Sequence, residues 1–192
     1  MSAAHPFEAV RALHVEYEAL RTQPIGSLSL DERRGLEYYL ADVGDAEPGI
    51  AQSIRNWIEF AHGLDDFVCR HGRMPIPAAR SPRPHTQEQC LVDRLSYQRR
   101  PAVRAAHCRY QELRLEGVPG FRWSPQRDRW TERLHQYQDF WATHDRAPHR
   151  RADDHLEASL GRWAAEQRAA HRSRGLQPER LRALRGATFR VL

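Results

Sequence analysis

Thirty arginines and not one lysine carry the fixed positive charge of this 192-residue chain. A guanidinium stays ionised, and its planar fork meets a phosphate or carboxylate at two points, which a lysine ammonium cannot do. GC-rich coding alone favours arginine, so its distribution says more than its number. Residues 1–66 hold five arginines against twelve acids; residues 67–192 hold twenty-five against thirteen. That surplus suits an acidic partner, nucleic acid first, while a solvated basic surface with no dedicated ligand is the plainer alternative. Arg73, Arg94, Arg99, Arg100 and Arg104 form one group, and Arg146, Arg150, Arg151, Arg162, Arg168 and Arg172 another. These eleven are the candidate phosphate-contacting residues. Internal pairing competes: Arg162 lies four residues before Glu166, Arg94 adjoins Asp93, and Arg73 and Arg146 sit where they could brace a loop.

Other chemistry is weakly supported. Cys69, His71, His85, Cys90, His107 and Cys108 form the most suggestive set. Zinc needs four N or S ligands in a tetrahedron, and Cys-x-His and His-Cys are poor ligand pairs beside Cys-x-x-Cys. Three cysteines without that motif also argue against a disulfide framework. No nucleophile stands in a recognisable setting, and a GxxxxGK[ST] phosphate loop is impossible without lysine. The expectation is a non-enzymatic protein with no cofactor and no metal. Trp57, Trp130 and Trp163 fall on apolar stripes and read as core, whereas Trp123 and Trp141, with arginine neighbours, could stack on a base or a partner.

The elements that must position these groups are all helical. Helices are predicted from Pro6 to Thr22; from Ser29, with Glu32 completing a capping box, to Gly44; and from Ser53 to His71, stopped by Gly72. Four prolines keep Met74 to His85 extended. Further helices are predicted from Thr86 towards Pro101, from Pro101 to Leu115, from Ser124-Pro125 to His144, from Asp153 or Asp154 to Gly175, and from Pro178 to Arg185. No window alternates as a strand would. The start of the chain is acidic and amphipathic rather than signal-like, and no apolar run approaches about 18 residues. These features set the expectation of a cytoplasmic protein with no membrane partner.

The pattern repeats. At an offset of 73, Trp57, Asp66, Phe67, His71, Arg73 and Pro75 match Trp130, Asp139, Phe140, His144, Arg146 and Pro148. Beyond a proline-rich loop four residues longer in the first copy, the offset becomes 69, and Glu88, Leu91, Gln98 and Arg99 match Glu157, Leu160, Gln167 and Arg168. Such periodicity is the mark of a duplicated supersecondary unit. Gly26-Ser27-Leu28, Glu32-Arg33 and Leu36 compare with Gly175-Leu176, Glu179-Arg180 and Leu184, so the N-terminal 45 residues could be the back half of the same unit.

These residues resemble the helicase-associated domain, in a signature of Trp, then Phe, then His-Gly-Arg-x-Pro, then Leu-Gly-x-Trp with Gln-Arg. The first copy carries His71-Gly72-Arg73-Met74-Pro75; the second carries His144-Asp145-Arg146-Ala147-Pro148, then Leu160-Gly161-Arg162-Trp163 and Gln167-Arg168. The resemblance covers about residues 53–192. It implies an all-α fold of tandem three-helix modules without a β-sheet, a type found in actinobacteria, with a nucleic-acid-binding role and no enzymatic activity. Two departures stand out: Arg94 occupies the place of Trp163, and Asp145 that of Gly72. The expected division is an acidic helical segment over 1–50, a first module over 51–124 and a second over 125–192. The expected partner is nucleic acid, DNA ahead of RNA, with the middle helices, about 87–100 and 154–172, as readers. The alternative is a protein-interaction module docking on a larger nucleic-acid-processing machine. The acidic segment would then bind a protein, or it could shield the basic face.

Overall fold

The computed structural model describes residues 7–45, 48–80 and 82–192. Pro6, residues 46 and 47 between the second and third expected helices, and Ser81 lie outside the described residues. The described residues form α-helices and a short 3-10 turn at Ile25–Ser27, with no strand. None of the helices is long and apolar enough to cross a membrane. The chain divides into two compact units, 1–123 and 124–192.

In the first unit, α1 (Glu8–Arg21) buries Val10, Leu13 and Tyr17 on one face. Helix α2 (Leu30–Val43) begins at the Ser29–Glu32 capping box, each side chain bonding the other's backbone N–H. Helix α3 (Gln52–His71) buries Ile54, Trp57, Ile58, Phe60, Ala61, Leu64, Phe67 and Val68, the stripe its sequence lays out, and ends at Gly72 in the left-handed conformation. Helix α4 (Gln87–Gln98) is capped by Thr86, whose hydroxyl accepts from the Gln89 N–H at 3.2 Å. Helices α5 (Pro101–Ala105) and α6 (Arg109–Glu116) complete the unit.

Two expectations change here. The helix expected from Pro101 to Leu115 is broken in two, because Gln111 reaches back to accept from the Cys108 N–H at 3.2 Å and starts a new helix. The N-terminal 50 residues are also not a separate segment: α2 packs on α1, α3 and α6. Leu13, Tyr17, Leu28, Leu36 and Tyr39 share one apolar cluster with Cys108 and Tyr110, which leaves no independent core for the first 50 residues. The second cluster of the unit joins α3 to Leu91, Leu95, Leu115 and Val118.

The second unit consists of α7 (Pro125–His144), α8 (His155–Arg172) and α9 (Pro178–Arg185), closed by the tail 187–192. Trp130, Leu134, Tyr137, Trp163, Ala164, Leu184 and Val191 make its core. The two copies correspond helix by helix. Both α3 and α7 are 20 residues long at an offset of 73, and both α6 and α9 are eight at an offset of 69. The continuous α8 matches α4 plus α5, which Pro101, lacking an N–H, interrupts. Asp145 adopts the left-handed turn of Gly72, at φ 52° against 64°.

Candidate nucleic-acid interface and the ion pairs around it

The arginines that repeat are internal braces. Arg73 Nη1 donates to Glu88 Oε1 at 2.5 Å, and the same oxygen accepts from the Ile76 N–H at 2.9 Å. In the second unit Arg146 Nη1 donates to Glu157 Oε1 at 2.5 Å, and that oxygen accepts from the His149 N–H at 2.9 Å. Arg73 lies 5.3 Å from the Phe67 ring centroid, and Arg146 lies 5.3 Å from that of Phe140. The His-x-Arg-x-Pro signature therefore builds a loop clamp: a helix-end aromatic, an arginine over it, and a glutamate from the next helix gripping the arginine and a loop backbone N–H. Arg146 pulls the Glu157 carboxyl down to about 2. Arg99 Nε donates to the Arg122 carbonyl and Arg168 Nη1 to the Val191 carbonyl, both at 2.9 Å, so this pair pins the end of each copy.

Three other candidates in the first unit are also engaged. Arg104 Nε donates to Glu112 at 3.2 Å and its guanidinium lies 4.3 Å from the Trp123 ring centroid. Arg100 sits 5.3 Å from the Tyr97 ring, and Arg94 donates to the Asn56 carbonyl at 3.4 Å. The pairs suggested by spacing, Arg94 with Asp93 and Arg162 with Glu166, are not among the ion pairs of the described residues; Asp93 instead accepts from Arg83 at 3.4 Å. Trp123 donates to Glu116 at 2.7 Å and Trp141 stacks on Phe189 at 5.5 Å, so both already have partners within the chain.

Four candidates remain exposed with no side-chain hydrogen bond, ion pair or ring contact among the described residues: Arg150, Arg151, Arg162 and Arg172. All lie in the second unit. The loop carrying Arg150 and Arg151 closes onto α8 at Gly161, where a Cβ would come within 2.5 Å of the Arg150 backbone nitrogen. Only glycine tolerates that approach. It sets Arg150 and Arg151 beside Arg162. Arg172 lies ten residues further on, about 15 Å along α8 and about 80° around it.

Folding also redistributes charge. The first unit holds sixteen arginines and sixteen carboxylates, the second fourteen against nine, so the surplus of five belongs to the second unit. Reading the chain as linear stretches hid this, because the acidic N-terminus folds with the basic stretch 67–123.

The centre of that neutralisation is a buried network the sequence did not reveal. Asp42 on α2, with a side chain 1% exposed, accepts from Arg114 Nε at 2.6 Å, Tyr110 Oη at 2.6 Å, His62 Nε2 at 2.5 Å and His14 Nε2 at 3.3 Å. Arg114, 2% exposed, also clasps Asp65 through Nη1 and Nη2. Burial would raise the Asp42 carboxyl, but the hydrogen bonds from both histidines and the Arg114 charge hold it well below the usual range. The Asp42 bond in turn raises His62. Six residues from four helices are tied together across as many as 72 positions of sequence, a separation at which no periodicity could pair them.

Cys69 and Cys90 are exposed and Cys108 is buried, and no three His, Cys, Asp or Glu side chains of the described residues are placed to hold a metal. A cleft of about 710 Å³ opens in the first unit beside Trp57, between α2, α3, α4 and the α5–α6 turn. The visible signal for it was Arg94 in the place of Trp163. No family model, curated protein or solved structure matches the chain.

Proposed function

We propose that this protein binds nucleic acid, DNA ahead of RNA, as a non-enzymatic accessory factor whose second unit contacts phosphates through Arg150, Arg151, Arg162 and Arg172. The observation that carries this reading is that these four guanidiniums lack internal partners in a unit with five surplus positive charges. Counterion release on phosphate neutralisation supplies the affinity of such a surface. The 18-residue α8, bearing Arg162 and Arg172 on exposed positions, has the form of a helix that enters a major groove. The resemblance to helicase-associated modules agrees with this role. Arg73, Arg94, Arg99, Arg100, Arg104, Arg146 and Arg168 have partners within the chain and leave the phosphate contacts, in this reading, to the other four.

The test is fluorescence anisotropy of the full chain against labelled duplex DNA, single-stranded DNA and RNA over a salt series. Binding that weakens steeply with salt is expected, with duplex DNA tightest. No binding at about 50 mM salt would reject the reading.

A second reading, docking on a protein of a larger machine, is favoured by Val15, Ile25 and Leu30, which are 71%, 71% and 73% exposed. A partner retained in a pull-down after nuclease treatment, and lost on Ile25→Ser with Leu30→Ser, would support it. Shielding of a basic face by residues 1–50 is not retained, because those residues complete the core of the first unit.

A further inference from the structure

The two copies differ most where one tryptophan of α3 or α7 meets the next helix. In the second unit Trp130 is sealed. Trp163 lies 6.0 Å away ring to ring, Leu176 packs on the same cluster, Arg180 sits 5.4 Å from the ring, and the indole N–H donates to Gln167 at 2.9 Å. At the offset of 69, those sealing positions are Arg94, His107 and Gln111 in the first unit. Two apolar plugs have become polar, and the space they vacate is the cleft of about 710 Å³.

Two residues that line this cleft carry unmet hydrogen bonds. Gln98, the counterpart of Gln167, accepts from His107 Nε2 at 2.7 Å and no longer serves the tryptophan. Trp57 Nε1, on a residue 6% exposed, is left as a buried donor with no partner, and His107 Nδ1 as a buried acceptor with none. A buried orphan donor costs the full desolvation of that group, so an occupant that supplies an acceptor is favoured. Tyr38 lies edge-on to Trp57 at 5.4 Å and extends the aromatic wall. Arg34 and Arg94 line the cleft. Each donates to a backbone carbonyl, of Ala106 and Asn56 respectively, and neither has a carboxylate partner among the described residues. The acid at the edge, Asp93, is already held by Arg83 and Gln89.

We propose that this cleft binds a small planar aromatic anion. The ring lies against Trp57 and Tyr38, a ring acceptor takes the Trp57 N–H, and a carboxylate or phosphate meets Arg34 and Arg94. That chemistry is shared by free aromatic acids and nucleoside monophosphates. The site belongs to the first unit alone and does not depend on phosphate binding by the second.

The test is a titration of ¹⁵N-labelled full-length protein followed through the tryptophan indole N–H resonances, with Trp57 assigned by Trp57→Phe. One arm adds quinoline-3-carboxylate, whose ring nitrogen is an acceptor, the other GMP or UMP. In at least one arm the Trp57 resonance is expected to shift and saturate below about 1 mM, while that of Trp130, bonded to Gln167, stays in place. Response in one arm assigns the source; response in both supports the shared chemistry. Arg94→Trp, which restores the plug of the second copy, is expected to abolish the shift without lowering the melting temperature. Arg34→Gln with Arg94→Gln is expected to weaken the anion at least about tenfold but not neutral quinoline. Silence of Trp57 in both arms, or an unchanged response in Arg94→Trp, would overturn the proposal.

Discussion

Asp42→Asn is the most informative single change in the first unit. It keeps the shape of the side chain and removes its charge. Arg114, 2% exposed, would then face a neutral amide on one side and only Asp65, itself 21% exposed, on the other. Stranding one partner of a buried ion pair costs about 3–5 kcal/mol. Against a typical total of about 5–15 kcal/mol, that is a large fraction of the stability of a domain. With an m-value of about 2 kcal/mol/M, the urea midpoint of this unit should fall by roughly 2 M. The assay is urea unfolding read from the Trp57 and Trp123 indole resonances. Replacing both partners, Asp42→Leu with Arg114→Met, leaves no buried guanidinium stranded and only the partly exposed Asp65 without its arginine, and should cost less than Asp42→Leu alone. A midpoint shift for Asp42→Asn below about 0.5 M, or a double variant worse than the single, would refute the assignment of the network as the keystone of the unit.

Other outcomes follow from the same geometry. The Asp42 bond raises His62, so its contribution is complete below the unfolded value near 6.5 and fades as pH rises through the higher folded value. Equilibrium unfolding should therefore show His62→Gln losing more stability at about pH 6 than at about pH 8.5, and equal losses at both would contradict the pairing. Asp42 has the opposite sign. Its depressed carboxyl stabilises above the unfolded value near 3.9, a contribution lost as pH falls toward the folded one. Asp145→Gly relieves a non-glycine left-handed residue and should stabilise the second unit by about 1 kcal/mol, measured by thermal unfolding. Gly161→Ala should push the Arg150 backbone off α8, seen as amide shifts confined to residues 148–152 and the first turns of α8; a spectrum unchanged there would contradict the close approach.

The sequence carried the fold far and the site only part way. Helix faces such as Ile54-Trp57-Ile58-Ala61-Leu64 and caps such as Ser29–Glu32 are local patterns, and the structure places them as read. The duplication was legible because its matched residues are scaffold: Trp57 and Trp130 in the cores, Arg73 and Arg146 in the loop clamps. For the same reason the repeated arginines were poor guides to binding. The four left free, Arg150, Arg151, Arg162 and Arg172, have no arginine at the matched positions of the first copy. The Asp42–Arg114 network joins residues 72 apart, and the sharing of its charges between helices leaves no trace in spacing. The departure at Arg94 was visible as a mismatch, but only the surrounding helices turn it into a cleft.

The central claim is that phosphate contact belongs to the partner-free arginines of the second unit. Its most direct test is the slope of log K against log salt for duplex DNA, compared between the natural chain and the variant Arg150→Gln, Arg151→Gln, Arg162→Gln and Arg172→Gln. Four phosphate contacts correspond to a difference of about 3.6 in that slope, and a loss near that size with the fold intact is the expected result. Equal slopes for the two proteins would place the interface elsewhere and contradict the claim.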